Sequence, residues 1–138
     1  MTTHPYIRAY LAGVAVPSVF LLFVFVAFCA IRFTYDPAFP LERVLVFPLA
    51  LVPAFWGLWN VLYQALRKRQ YLPLGCHGAI VPLILGPAGL ALAHGSGLDS
   101  ALAVTWTMVA VAAPLAMIVY YLVWKLVVGF LNELLGIG

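Results

Sequence analysis

An all-α integral membrane protein, built as an antiparallel bundle of four transmembrane helices, is the fold this sequence predicts, and three observations carry the prediction. Of its 138 residues 66% are hydrophobic and 8% are charged, where an ordinary soluble domain carries about 25% charged residues. Four apolar runs, residues 9–31, 44–66, 74–93 and 101–124, each reach the length of about 20 residues that crosses a hydrocarbon core as a helix. The breaks between them, RFTYDPAFPLER, RKRQYLP and HGSGLDS, are short and rich in charge, Pro, Gly or Ser, as turns require. Short connections make consecutive helices antiparallel neighbours. Residues 1–138 therefore read as a single four-helix transmembrane domain with no room for a soluble catalytic one.

The first run is longer than the roughly 7–15 apolar residues of a secretory signal, and no small-x-small cleavage site follows it, so it is expected to stay as a span. Cys29 ends an apolar stretch, but Phe28 stands where lipidation needs a small residue. The second run ends in the cluster Arg67, Lys68 and Arg69. With Arg8 and Lys125 these five basic residues fall on one side, against Arg32 and Arg43 on the other. By the positive-inside rule both termini are expected in the cytoplasm, and the protein in a plasma or inner membrane. The same rule accounts for the net charge of +3 without invoking nucleic acid, since the cations border apolar runs.

The third run is rich in small residues, Gly75, Gly78, Gly86, Gly89 and Ala93. The spacing of Gly89 and Ala93 predicts close helix approach and makes this the most buried span. Pro17, Pro53, Pro82 with Pro87, and Pro114 place a proline in every span. Each removes a backbone donor and tends to kink its helix, so the helices are expected to be Pro-kinked. Joining the tail VVGFLNELLGIG to the fourth run would give a helix of roughly 52 Å at about 1.5 Å per residue. Residues 125–138 are therefore expected to bend away after Lys125 and lie in the membrane interface.

The stretch WGLWNVLYQALRKRQY, residues 56–71, is the candidate site. At about 100° per residue, Trp56, Asn60, Tyr63 and Arg67 form one stripe, flanked by Trp59 and Gln64. Trp59 and Tyr63 sit at the depth of an interfacial aromatic belt. Trp56 lies about 10 Å deeper than the boundary and Asn60 about 5 Å deeper, where an amide facing lipid would go unsatisfied. This face is therefore expected to point inward, with Asn60 bonded to a neighbouring helix or, as the alternative, to a ligand head group. Trp56, Trp59, Asn60, Tyr63 and Gln64 are the candidate lining of any cavity.

Other constellations read as structural. Cys76 and His77 are adjacent, so on a helix they point about 100° apart, and His94 lies about 25 Å further along. No metal or other cofactor is expected from them. Cys29 and Cys76 fall at opposite ends of their spans and are expected as free thiols. His94, Ser96 and Asp99 are the residue types of a hydrolase triad without its G-x-S-x-G turn. They are read instead as a helix C-terminus, with Asp99 or Ser100 capping the next helix. The span cores hold no Asp, Glu, Lys or Arg, which weighs against proton-coupled transport. The expected function is non-enzymatic: contacts with membrane lipids, with another membrane protein or with a second copy, as an accessory subunit, assembly factor or scaffold. The alternative is a binding or transport module for an apolar or amphipathic small molecule or lipid.

Overall fold

A computed structural model describes residues 4–35, 37–38, 40–45, 49–69, 72–98 and 103–138, and every regular element among them is helical. Helix α1 (Pro5–Thr34) is followed by the single turn α2 (Leu41–Val44) and by α3 (Leu51–Leu66). Helices α4 (Leu74–Ala79) and α5 (Val81–Gly95) form the third rod. The last comprises α6 (Trp106–Leu122), a π-helical segment (Val123–Val128) and α7 (Gly129–Leu134). Three of these rods, Pro5–Thr34, Leu74–Gly95 and Trp106–Leu134, are long and apolar enough to cross a membrane. Helix α3 has 16 residues, about 24 Å at about 1.5 Å per residue, which is shorter than a hydrocarbon core of about 30 Å. The predicted second span thus begins in α2 and ends in α3. Its residues 46–48 lie outside the described residues, as do the expected caps Asp99 and Ser100 and the start of the predicted fourth span. Thr105 caps α6, its hydroxyl accepting from the Met108 amide at 3.3 Å.

The prolines act unequally. Pro17, Pro87 and Pro114 lie inside helices that continue through them, and Pro53 occupies the first turn of α3, where a backbone donor has no helical partner to lose. The third rod is interrupted at Ile80, two residues before Pro82, and resumes with a tight bond from the Leu83 amide to the Ile80 carbonyl at 3.1 Å.

Helix α1 packs chiefly on α3, and α4 with α5 chiefly on α6 and the π-helical segment. Gly13 and Gly57 bring α1 and α3 into backbone contact. A Cβ added at Gly13 would stand 2.6 Å from the Trp56 carbonyl oxygen. On the third rod, Gly75 and Gly78 make room for the last: a Cβ at Gly78 would lie 2.1 Å from the Trp124 side chain. The expected close approach at Gly89 is absent, since a Cβ there would meet nothing within 4 Å. The third rod is nonetheless the most buried of the three, through Gly75, His77, Gly78 and Val81 rather than through Gly89.

The tail does not bend away after Lys125. It continues the last helix through the π-helical segment, giving 29 residues from Trp106 to Leu134. Trp124, Val128 and Asn132 are 0%, 0% and 2% exposed. In an α-helix successive i+4 positions rotate by about 40°, whereas wider i→i+5 winding holds them nearer one line. Burial of that line holds the tail against the other helices.

Two buried clusters result. One comprises Trp56, Val81, Trp124 and Val128, the other Val44, Ala93 and Leu98 near the opposite end. Large apolar residues face outward elsewhere: Phe20 and Phe23 on α1, and Val111, Leu115, Ile118 and Leu122 along α6. Such a surface is suited to lipid.

Candidate functional site

Trp56 and Asn60, one turn apart on α3, both face inward, as the predicted stripe requires, and are 4% and 0% exposed. The Trp56 ring lies 5.1 Å from Tyr120 and 5.3 Å from Trp124, centroid to centroid, both tilted. Such aromatic pairs add about 0.5–1.5 kcal/mol each beyond the area they bury.

Asn60 joins three helices. Its amide donates to the Ala9 carbonyl of α1 at 2.8 Å and to Oδ1 of Asn132 at 2.8 Å, and Asn132 returns a bond to Asn60 Oδ1 at 3.2 Å. The amide that could not face lipid is thereby satisfied by a second amide from the tail.

Trp59 and Tyr63 pack against the third rod. Trp59 Nε1 donates to the His77 carbonyl at 3.0 Å, and its ring stacks on His77 at 4.8 Å and on Phe55 at 5.5 Å. Tyr63 lies 5.4 Å from the His77 ring. His77 is 3% exposed, with Nε2 3.4 Å from the Trp59 carbonyl oxygen. This aromatic box ties α3 to α4. Gln64 and Arg67 turn to the tail, both donating to the Ile137 carbonyl, at 3.0 and 2.8 Å, while Arg8 donates to the Leu135 carbonyl at 3.0 Å. Lys68 and Arg69 are exposed in the turn after α3. One end of the molecule therefore gathers Arg8 and Arg67 around backbone carbonyls. The other carries the Arg32–Glu42 ion pair and an Arg43 contact to the Ser96 carbonyl at 3.5 Å. The Arg32 guanidinium holds the Glu42 carboxyl below its ordinary pKa.

Between the two buried clusters lies a crevice of about 540 Å³. Val16 and Phe20 of α1, Val52 and Trp56 of α3, Pro82 and Leu85 of α5, and Ala112, Ala116 and Tyr120 of α6 contribute to its walls. An adjoining cavity of about 350 Å³ extends it past Gly86 and Gly89 to Ala93. Leu49, Gly86 and Val109 line both. From Pro82 to Ala93 the run is about 16 Å along α5 at about 1.5 Å per residue. The space exists because small residues face each other there: Gly86 and Gly89 on α5, Ala112, Ala113 and Ala116 on α6. Tyr120 and Trp56 are the lining residues with a polar side-chain atom. Both volumes fall within the range of about 300–1,000 Å³ usual for small-molecule sites.

Of the five candidate residues, then, Trp56 lines this crevice, while Trp59, Asn60, Tyr63 and Gln64 are engaged between helices. Sequence reasoning passed over Asn132, Tyr120 and Trp124, and considered His77 only for a metal-ligand role, which it set aside. The signals were present: the Asn132 amide in an apolar tail mirrors the Asn60 amide of α3, and Tyr120 with Trp124 repeats a one-turn aromatic spacing. Among the described residues no three His, Cys, Asp or Glu side chains gather as a metal site. Cys29 and Cys76 are free thiols. Comparison with protein-family models, curated proteins and solved structures finds no match to this chain.

Proposed function

We propose that this chain is a four-span integral membrane protein, both termini cytoplasmic, that works through lipid contacts and holds an apolar molecule in the crevice between its helix pairs. The crevice carries this reading. It is walled by four helices, is almost wholly apolar, and has the size of a ligand site. In a bilayer such a space fills with hydrocarbon, and its enclosure on several sides favours a chain or small ring over a partner helix of about 10 Å diameter. The gathering of Arg8 and Arg67 at one end supports the orientation, as does the count of basic residues. Native-lipid purification followed by mass spectrometry tests the proposal, with Ala116→Phe as a plugged control. A stoichiometric apolar molecule that is lost in Ala116→Phe supports it. A wild-type protein that retains no more than its control refutes it.

An accessory-subunit role is the second reading. It rests on the outward apolar row of α6, in which Val111, Leu115 and Ile118 are 75%, 67% and 59% exposed. A membrane protein that co-purifies stoichiometrically, and is lost when Leu115 is changed to Lys, would favour it.

A further inference from the structure

The two ends of the molecule differ in how their charges are balanced. Beside Arg32 and Arg43 the sequence carries three carboxylates, Asp36, Glu42 and Asp99, and Glu42 pairs with Arg32. At the other end Arg8, Arg67, Lys68, Arg69 and Lys125 are accompanied by Glu133 alone. Among the described residues no ion pair joins Glu133 to any of them. Arg8 and Arg67 are held instead on neutral backbone carbonyls, Nη1 of each donating to Leu135 and Ile137 at 3.0 and 2.8 Å. A carbonyl fixes a guanidinium without cancelling its charge, and one such bond engages one of five N–H donors. Leu135 and Ile137 are two residues apart, at most about 7 Å of extended backbone, so the tail gathers both guanidiniums at one place. Lys68 and Arg69, which follow Arg67 directly, are exposed.

Apolar surface adjoins these cations. Ile7 and Leu11 of α1 are exposed, and Leu11 shares a helix face with Arg8, because positions i and i+3 lie one above the other. A soluble anion would meet the cations alone, whereas cations bordered by an outward hydrocarbon wall suit a molecule that carries its phosphate on acyl chains. We propose that the basic end of the bundle binds an anionic phospholipid, its phosphate between Arg8 and Arg67, Lys68 and Arg69 beside it, and its acyl chains along Ile7 and Leu11. The tail carbonyls position the two guanidiniums. Their remaining N–H donors meet the phosphate oxygens in the forked geometry that guanidinium and phosphate share.

The inference rests on this end lying at a membrane surface, as proposed above, and one experiment separates the two claims. Pyrene-labelled phosphatidylglycerol is bound to the full chain in dodecyl maltoside micelles, with energy transfer from tryptophan as the readout, and is displaced with unlabelled phosphatidylglycerol, with phosphatidylcholine of the same chains, or with inorganic phosphate. Phosphatidylglycerol should displace the label at least about 10-fold better than phosphatidylcholine, since each basic residue near an anionic lipid surface is worth about 5-fold in affinity. Inorganic phosphate at matched ionic strength should not displace it. Arg8→Gln and Arg67→Gln should each lower the preference about 5-fold, while Arg43→Gln, which removes the same charge from the opposite end, should leave it unchanged. Energy transfer that does not saturate, with no displacement by either lipid, would refute lipid contact at this end and this inference together. Equal displacement by the two lipids would leave lipid contact standing and overturn headgroup recognition. Displacement by phosphate would make this a site for a soluble anion, and an equal loss of preference in Arg43→Gln would reduce it to net charge; either result overturns the proposal. Should the arginine variants not fold, an unchanged preference in the exposed double variant Lys68→Gln with Arg69→Gln overturns it as well.

Discussion

Replacing Asn60 with Leu, Asn132 with Leu, and both together should give destabilisations that are far from additive. The single change Asn60→Leu removes three hydrogen bonds, to Ala9 and twice with Asn132. Interhelical polar contacts in membranes average about 0.6 kcal/mol each, which sums to about 2 kcal/mol. The change also strands the Asn132 amide, 2% exposed, and an unsatisfied buried polar group costs about 1–3 kcal/mol. The expected loss is therefore about 3–5 kcal/mol. Asn132→Leu removes two bonds but leaves Asn60 its contact with Ala9, so about 1–3 kcal/mol is expected on the same values. The double variant strands nothing and should lose only about 2 kcal/mol, at least about 2 kcal/mol less than the sum of the singles. Equilibrium unfolding in mixed micelles, titrated with dodecyl sulfate and followed by far-ultraviolet circular dichroism, measures all three. Additivity within about 0.5 kcal/mol would show that the two amides are not coupled, and the tail would then be held by apolar burial alone.

Four further outcomes follow from particular contacts. Gly78→Ala should cost about 1–3 kcal/mol or more through collision with Trp124, while Gly89→Ala, facing open space, should be neutral or stabilising by up to about 1 kcal/mol; the same micelle titration compares them, and equal effects would contradict the packing. Trp59→Phe should lose about 1–3 kcal/mol, combining one hydrogen bond with weakened stacking on His77, whereas a purely interfacial anchor would tolerate the change. Arg67→Ala should speed amide hydrogen exchange near Ile137 while leaving α6 protected, because Arg67 bonds a carbonyl of the tail; unchanged exchange there would remove its anchoring role. The Glu42 carboxyl should titrate below its ordinary value of 4.5 because Arg32 binds its charged form. A depressed folded value means the pair's contribution is present above that ordinary value and is lost as pH falls through the depressed one. Carbon-13 detected titration should show the midpoint returning to normal in Arg32→Gln, and an unmoved midpoint would dissolve the pair.

Much of this molecule was legible because transfer into lipid acts segment by segment. A run with almost no charge that is long enough to cross a bilayer could only satisfy its backbone there as helix, so the helical state of the apolar stretches was expected from composition alone. The inward face of α3 followed too, because Asn60 could not be left unbonded in lipid. What Asn60 bonds was not legible: its partner Asn132 lies 72 residues away, and the meeting depends on the register of two helices that share no local signal. The tail illustrates the same limit. Length alone argued for a bend after Lys125, but the burial of Trp124, Val128 and Asn132 along one line keeps the helix going. Small residues are the sharpest case. In sequence, Gly75, Gly78, Gly86 and Gly89 look alike, yet Gly75 and Gly78 admit Tyr121 and Trp124 and Gly86 stands close to Val109, while Gly89 borders open space. A missing side chain allows either close contact or a void, and only the neighbouring helix, placed in three dimensions, determines which.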